Sequence, residues 1–468
     1  MQDTINHSGY VLIRRELQKK DSTNVKGTTV RFAYDFNCGD LVIHAYERIP
    51  EIDGTNAVVA YDFDNKGYLF CSQLPFSFSE FAMYPQNNHQ KIDFVVKNYE
   101  IGSKYKEVIF DFAELQYFCP SGSVVKDDEE GNVTFSGESK KIRSFNIVVN
   151  SIECEVSFIL GAKGKWGFAH SMMEAITELH ISFSETDDFD FLNNLYLIVD
   201  CVFAFICNRR NTTCLSMKIK GTYPSKTIDN NTVVDCIRHC TSEIFYFDKY
   251  REDPENEKII AKTWDASLFF KHIDALFTVV ADDISGKIED GGKISIASVH
   301  PSNKRRNLID LQQSIQISSA FEFYVRRYLP NMIEEKDHHI IMKMILKEIE
   351  SKSTGKLKEL AKNLAKNVVR EPALEDKVMK AYRGYDNWRP LTTCISEEWY
   401  KPDEIKTLGC EANQWRNDLA HAKRSYEPNE NTVRAIRLLE HINYAIILRV
   451  LGFSDDEIKD ILEKVLKR

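Results

Sequence analysis

KYREDPENEK, residues 249–258, is where the chain changes character. Seven of its ten residues are charged and one is proline, so it can neither present an apolar face nor donate a full ladder of backbone hydrogen bonds. It reads as a linker, and the sequence on its two sides has different periodicities. Upstream, short runs rich in β-branched and aromatic residues alternate with Gly, Asn, Asp and Pro. Downstream, apolar residues recur at steps of three and four. The expected organisation is therefore α+β: a β-rich, sandwich-like N-terminal domain over 1–250, carrying a helical insertion, followed by an all-α bundle over 262–468.

The upstream strands are expected at 31–36 (RFAYDF), 41–46 (LVIHAY), 57–61 (AVVAY), 92–96 (IDFVV), 108–112 (VIFDF) and 145–149 (FNIVV). EEGN at 129–132 fits a hairpin turn. The acidic DDFD at 187–190 can cap a helix, and the apolar run to Cys207 supplies its body. Asn193, Asn194 and Asp200 interrupt that run, which makes it a buried helix rather than a membrane span of ~20 nearly uncharged residues. A strand over 214–219 is expected to return to the sheet.

Downstream, Leu268, Phe269, Ile273, Leu276, Phe277 and Val280 outline a first helix. Further helices are expected over 305–329, 334–350, 356–370, 372–383 and 432–451, the last stopped by Gly452. Ser454-Asp-Asp-Glu457 is a capping box, with Phe453 and Ile458 placed as its hydrophobic staple.

The whole chain has 468 residues, 43% of them hydrophobic and 28% charged, which excludes a disordered or membrane-embedded polymer. Eleven cysteines without a repeating spacing, and a start lacking an export signal, point to reduced thiols in the cytoplasm. The net charge of −9 is unevenly spread: residues 301–468 hold 30 Lys and Arg against 26 Asp and Glu, leaving the acidic excess upstream. The final third can approach a polyanion with less repulsion than the rest.

Within that third, Arg416-Asn-Asp-Leu-Ala-His421 carries the candidate chemistry. Asn417 and His421 share one helical face, while Arg416 lies roughly 140° round from the histidine. Asp418, three residues before His421, is placed to orient the imidazole. Scission of RNA by its own 2′-hydroxyl needs a base, an acid at the departing 5′-oxygen and a cation at phosphorus. Histidine suits the first two tasks and arginine the third. One histidine cannot stand on both sides of a phosphorus, so a two-fold dimer supplying a second copy is expected. The motif offers one imidazole and one carboxylate, too few for a metal site with three or four donors, and neither metal nor other cofactor is expected.

The hexapeptide resembles the Arg-polar-x₃-His signature of HEPN ribonucleases. With Trp415 before it and Ala422, Lys423 and Arg424 after it, it is similar to the ApeA-type branch of abortive-infection HEPN proteins, whose β-rich domain precedes a C-terminal HEPN bundle. The segment 318–324 (SSAFEFY) resembles the early HEPN helix. The resemblance implies catalytic roles for Arg416 and His421, with Asn417 as their polar partner. It also implies metal-independent endoribonuclease activity leaving 2′,3′-cyclic phosphate and 5′-hydroxyl ends. It implies an RNA substrate, tRNA being the expected one, a homodimer or dimer of dimers, and an N-terminal domain that senses a phage component in antiviral defence. The alternative is a non-catalytic HEPN module that binds RNA or a nucleotide, or dimerises.

Other features admit plainer accounts. Lys423 and Arg424 are candidates for RNA phosphate contact. Glu322 either bonds into the site or sits solvated between two buried faces, the second being the simpler expectation. Lys358, Lys362, Lys366 and Arg370 form a basic stripe able to follow RNA, but read first as the wet side of a helix whose Leu357, Leu360, Leu364 and Val368 are buried. Cys236, His239 and Cys240 are expected to be structural rather than zinc-binding. His338 and His339 fit a polar helix surface, and Gly161-Ala-Lys-Gly164 lacks the ending of a phosphate-binding loop.

Overall fold

A computed structural model describes residues 7–14, 27–35, 40–45, 56–61, 66–72, 74–76, 86–110, 115, 125–127, 133–135, 139–166, 171–207, 212, 216–229, 232–246, 266–286, 311–328, 337–367, 373–384, 388–421 and 428–463. The chain divides into two units. One comprises Met1–Asp200 with Asn211–Ala261, the other Cys201–Arg210 with Lys262–Arg468.

The first unit is built on β1 (His7–Arg14), β2 (Gly27–Asp35), β3 (Asp40–Ala45), β4 (Ala57–Tyr61), β5 (Gly67–Cys71), β6 (Gln86–Lys91), β7 (Phe94–Lys97) and β8 (Lys104–Phe110). It continues through β9 (Val125–Asp127), β10 (Val133–Phe135), β11 (Lys140–Val149), β12 (Ile152–Trp166), β13 (Ser171–Thr186), β14 (Ser216–Asp229) and β15 (Thr232–Tyr246). Thirteen of these strands join in one sheet, in the order β11-β12-β13-β8-β14-β15-β7-β5-β4-β1-β2-β3-β6, with every described pairing antiparallel. β9 and β10 form a separate hairpin. Its turn, the expected EEGN, lies outside the described residues.

The helical insertion is α1 (Phe189–Cys207). Asp188 caps it: its Oδ1 accepts from the backbone N–H of Asp190 at 2.9 Å and of Phe191 at 3.2 Å, satisfying two donors that have no partner inside the helix. Phe191, Leu192, Leu195, Ile198 and Val199 are buried, and Tyr196 stacks on Tyr246 of β15 with ring centroids 3.7 Å apart. Residues 189–206 are the one described stretch long and apolar enough to cross a membrane, and most of it is buried.

The second unit is helical. Its described helices are α2 (Ala266–Lys271), α3 (Ile273–Ile284), α4 (Leu311–Tyr328), α5 (Asp337–Lys352), α6 (Lys356–Asn367), α7 (Leu374–Arg383), α8 (Ile405–Ala420), α9 (Glu430–Val450) and α10 (Asp455–Ile461). The molecule is thus a mixed α/β protein with a large antiparallel sheet in its N-terminal half and most of its helices in the C-terminal half. The single helix expected across 268–280 is broken at His272, giving α2 and α3.

The centre of the second unit is α9, whose residues from Leu438 to Leu448 are all buried. Tyr444 stacks on Phe205 with centroids 4.8 Å apart, and Asn443 Nδ2 donates to the Ile317 carbonyl of α4 at 3.0 Å. Gly452 ends α9 with φ +90°, a conformation that costs glycine least. Ser454 and Glu457 close the capping box of α10 reciprocally, as the sequence pattern predicts.

Candidate functional site

Three helices of the second unit position the candidate residues. α8 carries Arg416, Asn417 and Asp418, and His421 is its C-terminal cap, with φ −94° and ψ 8° and its backbone N–H bonded to the Asn417 carbonyl at 3.0 Å. The amphipathic pattern of α8 explains its seat: Ile405, Leu408, Ala412 and Trp415 are buried at helical spacing. Its close approach to α7 depends on Gly409, because a Cβ there would come within 2.9 Å of the Glu375 Cα. Asn413 Nδ2 donates to Glu375 across the same contact at 3.1 Å. Towards α9, the Thr432 hydroxyl donates to Glu411.

On this support Arg416 is half-exposed, and its Nη1 donates to Glu322 Oε1 on α4 at 2.8 Å. The other Glu322 oxygen accepts from Nζ of Lys377 on α7. Lys377 is almost fully enclosed, with 4% of its side chain exposed, against 15% for Glu322 and 44% for Arg416. Glu322 is therefore a bridge between a buried cation and a surface one, not the solvated residue that its place between apolar neighbours suggested. Taking Lys377 out of water is costly unless its charge is paired, and Glu322 supplies the pair. Arg416 then compensates the remainder of the carboxylate and is itself held by it.

Lys377 was not legible as a site residue, although a signal exists. It stands three residues after Leu374 and four before Ala381, on the buried stripe of α7, where an ionised side chain demands a partner.

His421 and Asn417 are exposed, and no side-chain hydrogen bond or ion pair of either is found among the described residues. Asp418 does not orient His421. It is buried, and both its oxygens accept from Nε2 of Gln414, at 3.0 and 3.1 Å. The reason is angular: three residues before the helix end, Asp418 falls on the inward side of α8, one turn after Gln414. The arrangement offers a fixed guanidinium and an imidazole at the C-terminal end of one helix, both accessible to a polyanion. Lys423 and Arg424 lie outside the described residues.

The remaining candidates have separate surroundings. Cys236, His239 and Cys240 all lie on β15, where alternation puts His239 on the opposite face from the two thiols. Cys240 Sγ donates to Ser103 Oγ at 3.7 Å. Burial, partly offset by that hydrogen bond, raises the Cys240 pKa, which favours a thiol over a ligating thiolate. Among the described residues no group of three or more His, Cys, Asp or Glu is arranged to hold a metal. Gly161–Gly164 runs within β12, paired to β13, and forms no loop. His338 and His339 fall in the first turn of α5.

The expected burial of Leu357, Leu360 and Leu364 is not found. All three are exposed, as are Lys358 and Lys362 beside them, so α6 is wet on both sides. Lys366 falls near the end of α6, and Val368 and Arg370 lie outside the described residues.

Compared with protein-family models, curated proteins and solved structures, the chain matches none.

Proposed function

We propose that this protein is a metal-independent endoribonuclease of the HEPN type, acting in the cytoplasm in antiviral abortive infection, with Arg416 and His421 at a composite site in a homodimer. The observation that carries it is that Arg416 is pinned by Glu322 on a packed helix while its outer edge and the imidazole of His421 both remain open to solvent. A guanidinium held in place is worth more to a transition state than a mobile one, because its reorientation is already done.

In this reading the second unit is a HEPN bundle. The first unit, which carries the thirteen-stranded sheet, is in the same reading a sandwich-like domain that senses a phage protein. One subunit's His421 takes the proton from the 2′-hydroxyl. The 2′-oxygen attacks phosphorus, the P–O5′ bond breaks, and the partner's His421 protonates the leaving 5′-oxygen. Arg416 from either subunit neutralises the charge that builds on the non-bridging oxygens. The products are a 2′,3′-cyclic phosphate and a 5′-hydroxyl, tRNA being the expected substrate. Asn417 is the polar partner on the same face, and Lys423 and Arg424 would contact flanking phosphates.

Sequencing RNA ends from cells producing wild-type or His421→Ala protein tests the proposal. New 5′-hydroxyl ends in the wild-type alone support it; the same ends from the variant refute it. The engagement of Arg416 by a carboxylate also favours a second reading, a bundle that grips RNA or a nucleotide without cutting it. Binding of tRNA with no new ends, under conditions where cells producing the protein arrest, would favour that reading.

A further inference from the structure

β14 and β15 run on past their neighbours in the sheet. β8 pairs with β14 only as far as Thr222, and β7 pairs with β15 only from Glu243 to Tyr246. β7 ends at Asn98, whose φ of +57° turns the backbone out of the strand direction. Ser242 holds that turn by donating to the Asn98 carbonyl at 2.8 Å. Between Thr232 and Thr241, β15 pairs with β14 on one side and with no other strand among the described residues.

A proline fixes the direction of the unused backbone groups. Opposed residues of an antiparallel pair alternate between exchanging two hydrogen bonds and exchanging none. Pro224 stands opposite Ile237 and has no N–H to exchange, so theirs is a pair without hydrogen bonds. The N–H and C=O of Ile237 consequently point away from β14, and so do those of Val233, Asp235, His239 and Thr241. Together they line about 25–30 Å of edge at the spacing of a strand.

Two other open edges are guarded. β11, at one end of the sheet, carries Lys140, Lys141 and Arg143, with a register shift between Lys141 and Arg143. The outer edge of β14 carries Pro224, which removes a donor, and Lys226. Such devices stop a foreign strand from adding. The edge of β15 has neither proline nor lysine: Val233 is 63% exposed and Ile237 77%. Asp235, between them, is exposed and makes no ion pair among the described residues.

This edge specifies its occupant. Backbone groups set in strand register are met by another extended backbone. The side chains of an added strand stand beside Val233, Asp235 and Ile237, which share one face at two-residue steps. The complementary order is apolar, basic, apolar. We infer that the free edge of β15 takes up an extended segment of another protein as an added strand, selecting a Lys or Arg with apolar residues two positions to either side. The inference stands on the first unit alone, independent of the ribonuclease and phage-sensing readings.

Fluorescence anisotropy of the full chain with a labelled synthetic peptide, Ser-Thr-Val-Thr-Lys-Thr-Val-Thr-Ser, tests it. Saturable binding at about 10–100 μM is expected, weak because a short peptide must be ordered as it binds. Glu in place of the peptide's Lys should weaken binding at least about five-fold, and N-methylation of alternate residues in one of the two phases should abolish it. Ile237→Pro removes an outward donor without touching the ladder to β14 and is expected to cost at least about ten-fold in affinity. Asp235→Lys, an exposed substitution, should reverse the preference in favour of the Glu peptide, and decides the matter should the proline variant misfold. No saturable binding at about 1 mM, or binding indifferent to Asp235→Lys, overturns the proposal. So does hydrogen exchange showing the amides of 233, 235, 237, 239 and 241 protected before peptide is added. Protection at every concentration would assign the edge to another segment of this chain, and protection that grows with concentration to a second copy.

Discussion

Arg416 and Glu322 are 94 residues apart in the chain and 2.8 Å apart in the fold, joined by a hydrogen bond from Nη1 to Oε1. The carboxylate they share with Lys377 links α4, α7 and α8 through one buried cation and one surface cation.

The bridge predicts an asymmetry between its members. Glu322→Gln breaks the enclosed ion pair with Lys377 by removing the carboxylate and is expected to cost about 3–5 kcal/mol. Lys377→Met removes the buried charge and leaves Glu322 paired with Arg416, and is expected to cost less than ~2 kcal/mol. Urea unfolding of the two variants checks the order.

At the helix end the expectation is the opposite. His421 is exposed, so His421→Ala should change stability by no more than about 0.5 kcal/mol while abolishing RNA cleavage. Arg416→Lys should also cleave poorly, since an ammonium lacks the planar fork that can hold Glu322 and a phosphate together. Thermal melting beside an RNA end-mapping assay separates these effects.

Gly409 has no room for a side chain. Gly409→Ala puts a methyl 2.9 Å from the Glu375 Cα, where backbone cannot yield as a flexible side chain does. A loss of about 1–3 kcal/mol is expected, with reduced cleavage because α8 carries the motif. Equal stability of variant and wild-type in urea would show that α7 and α8 separate freely.

In the sheet, His180 bonds Glu107 through Nδ1 at 2.7 Å and Glu178 through Nε2 at 3.3 Å. Burial favours the neutral ring, but the hydrogen bonds to Glu178 and Glu107 outweigh it and raise the pKa above 6.5. The stabilisation from the charged ring is then fully present below pH 6.5 and is lost as the pH rises through the raised value. His180→Gln should flatten the pH dependence of unfolding in that window, as measured by denaturant titrations from pH 5.5 to 9.

Local chemistry was readable along the chain because its partners are a few residues away. Asp188 at the start of α1, Gly452 at the end of α9 and the Ser454–Glu457 box each satisfy orphaned backbone groups within their own turn. The strand at 57–61 follows from β-branched and aromatic content between turn residues. The long hairpin of β12 and β13 is not legible in the sequence: Gly161, Lys163 and Gly164 interrupt the alternation that marks a strand, and the pairing of β12 with β13 supplies the order its own residues do not.

What the amino-acid order determined by itself is therefore the change from strand to helix around 249–258, the helix caps and the hexapeptide ending in His421. Only the tertiary structure decided which carboxylate holds Arg416, that Lys377 is enclosed beside that same carboxylate, and that Leu357, Leu360 and Leu364 face water. The physical reason is common to all three. Periodicity marks the side of a helix that can be buried, and ionisable residues mark where a partner is needed, but neither says which distant element arrives there. In α7 a neighbour came to the apolar stripe and its lysine had to be matched; in α6 the leucines stay exposed among the described residues.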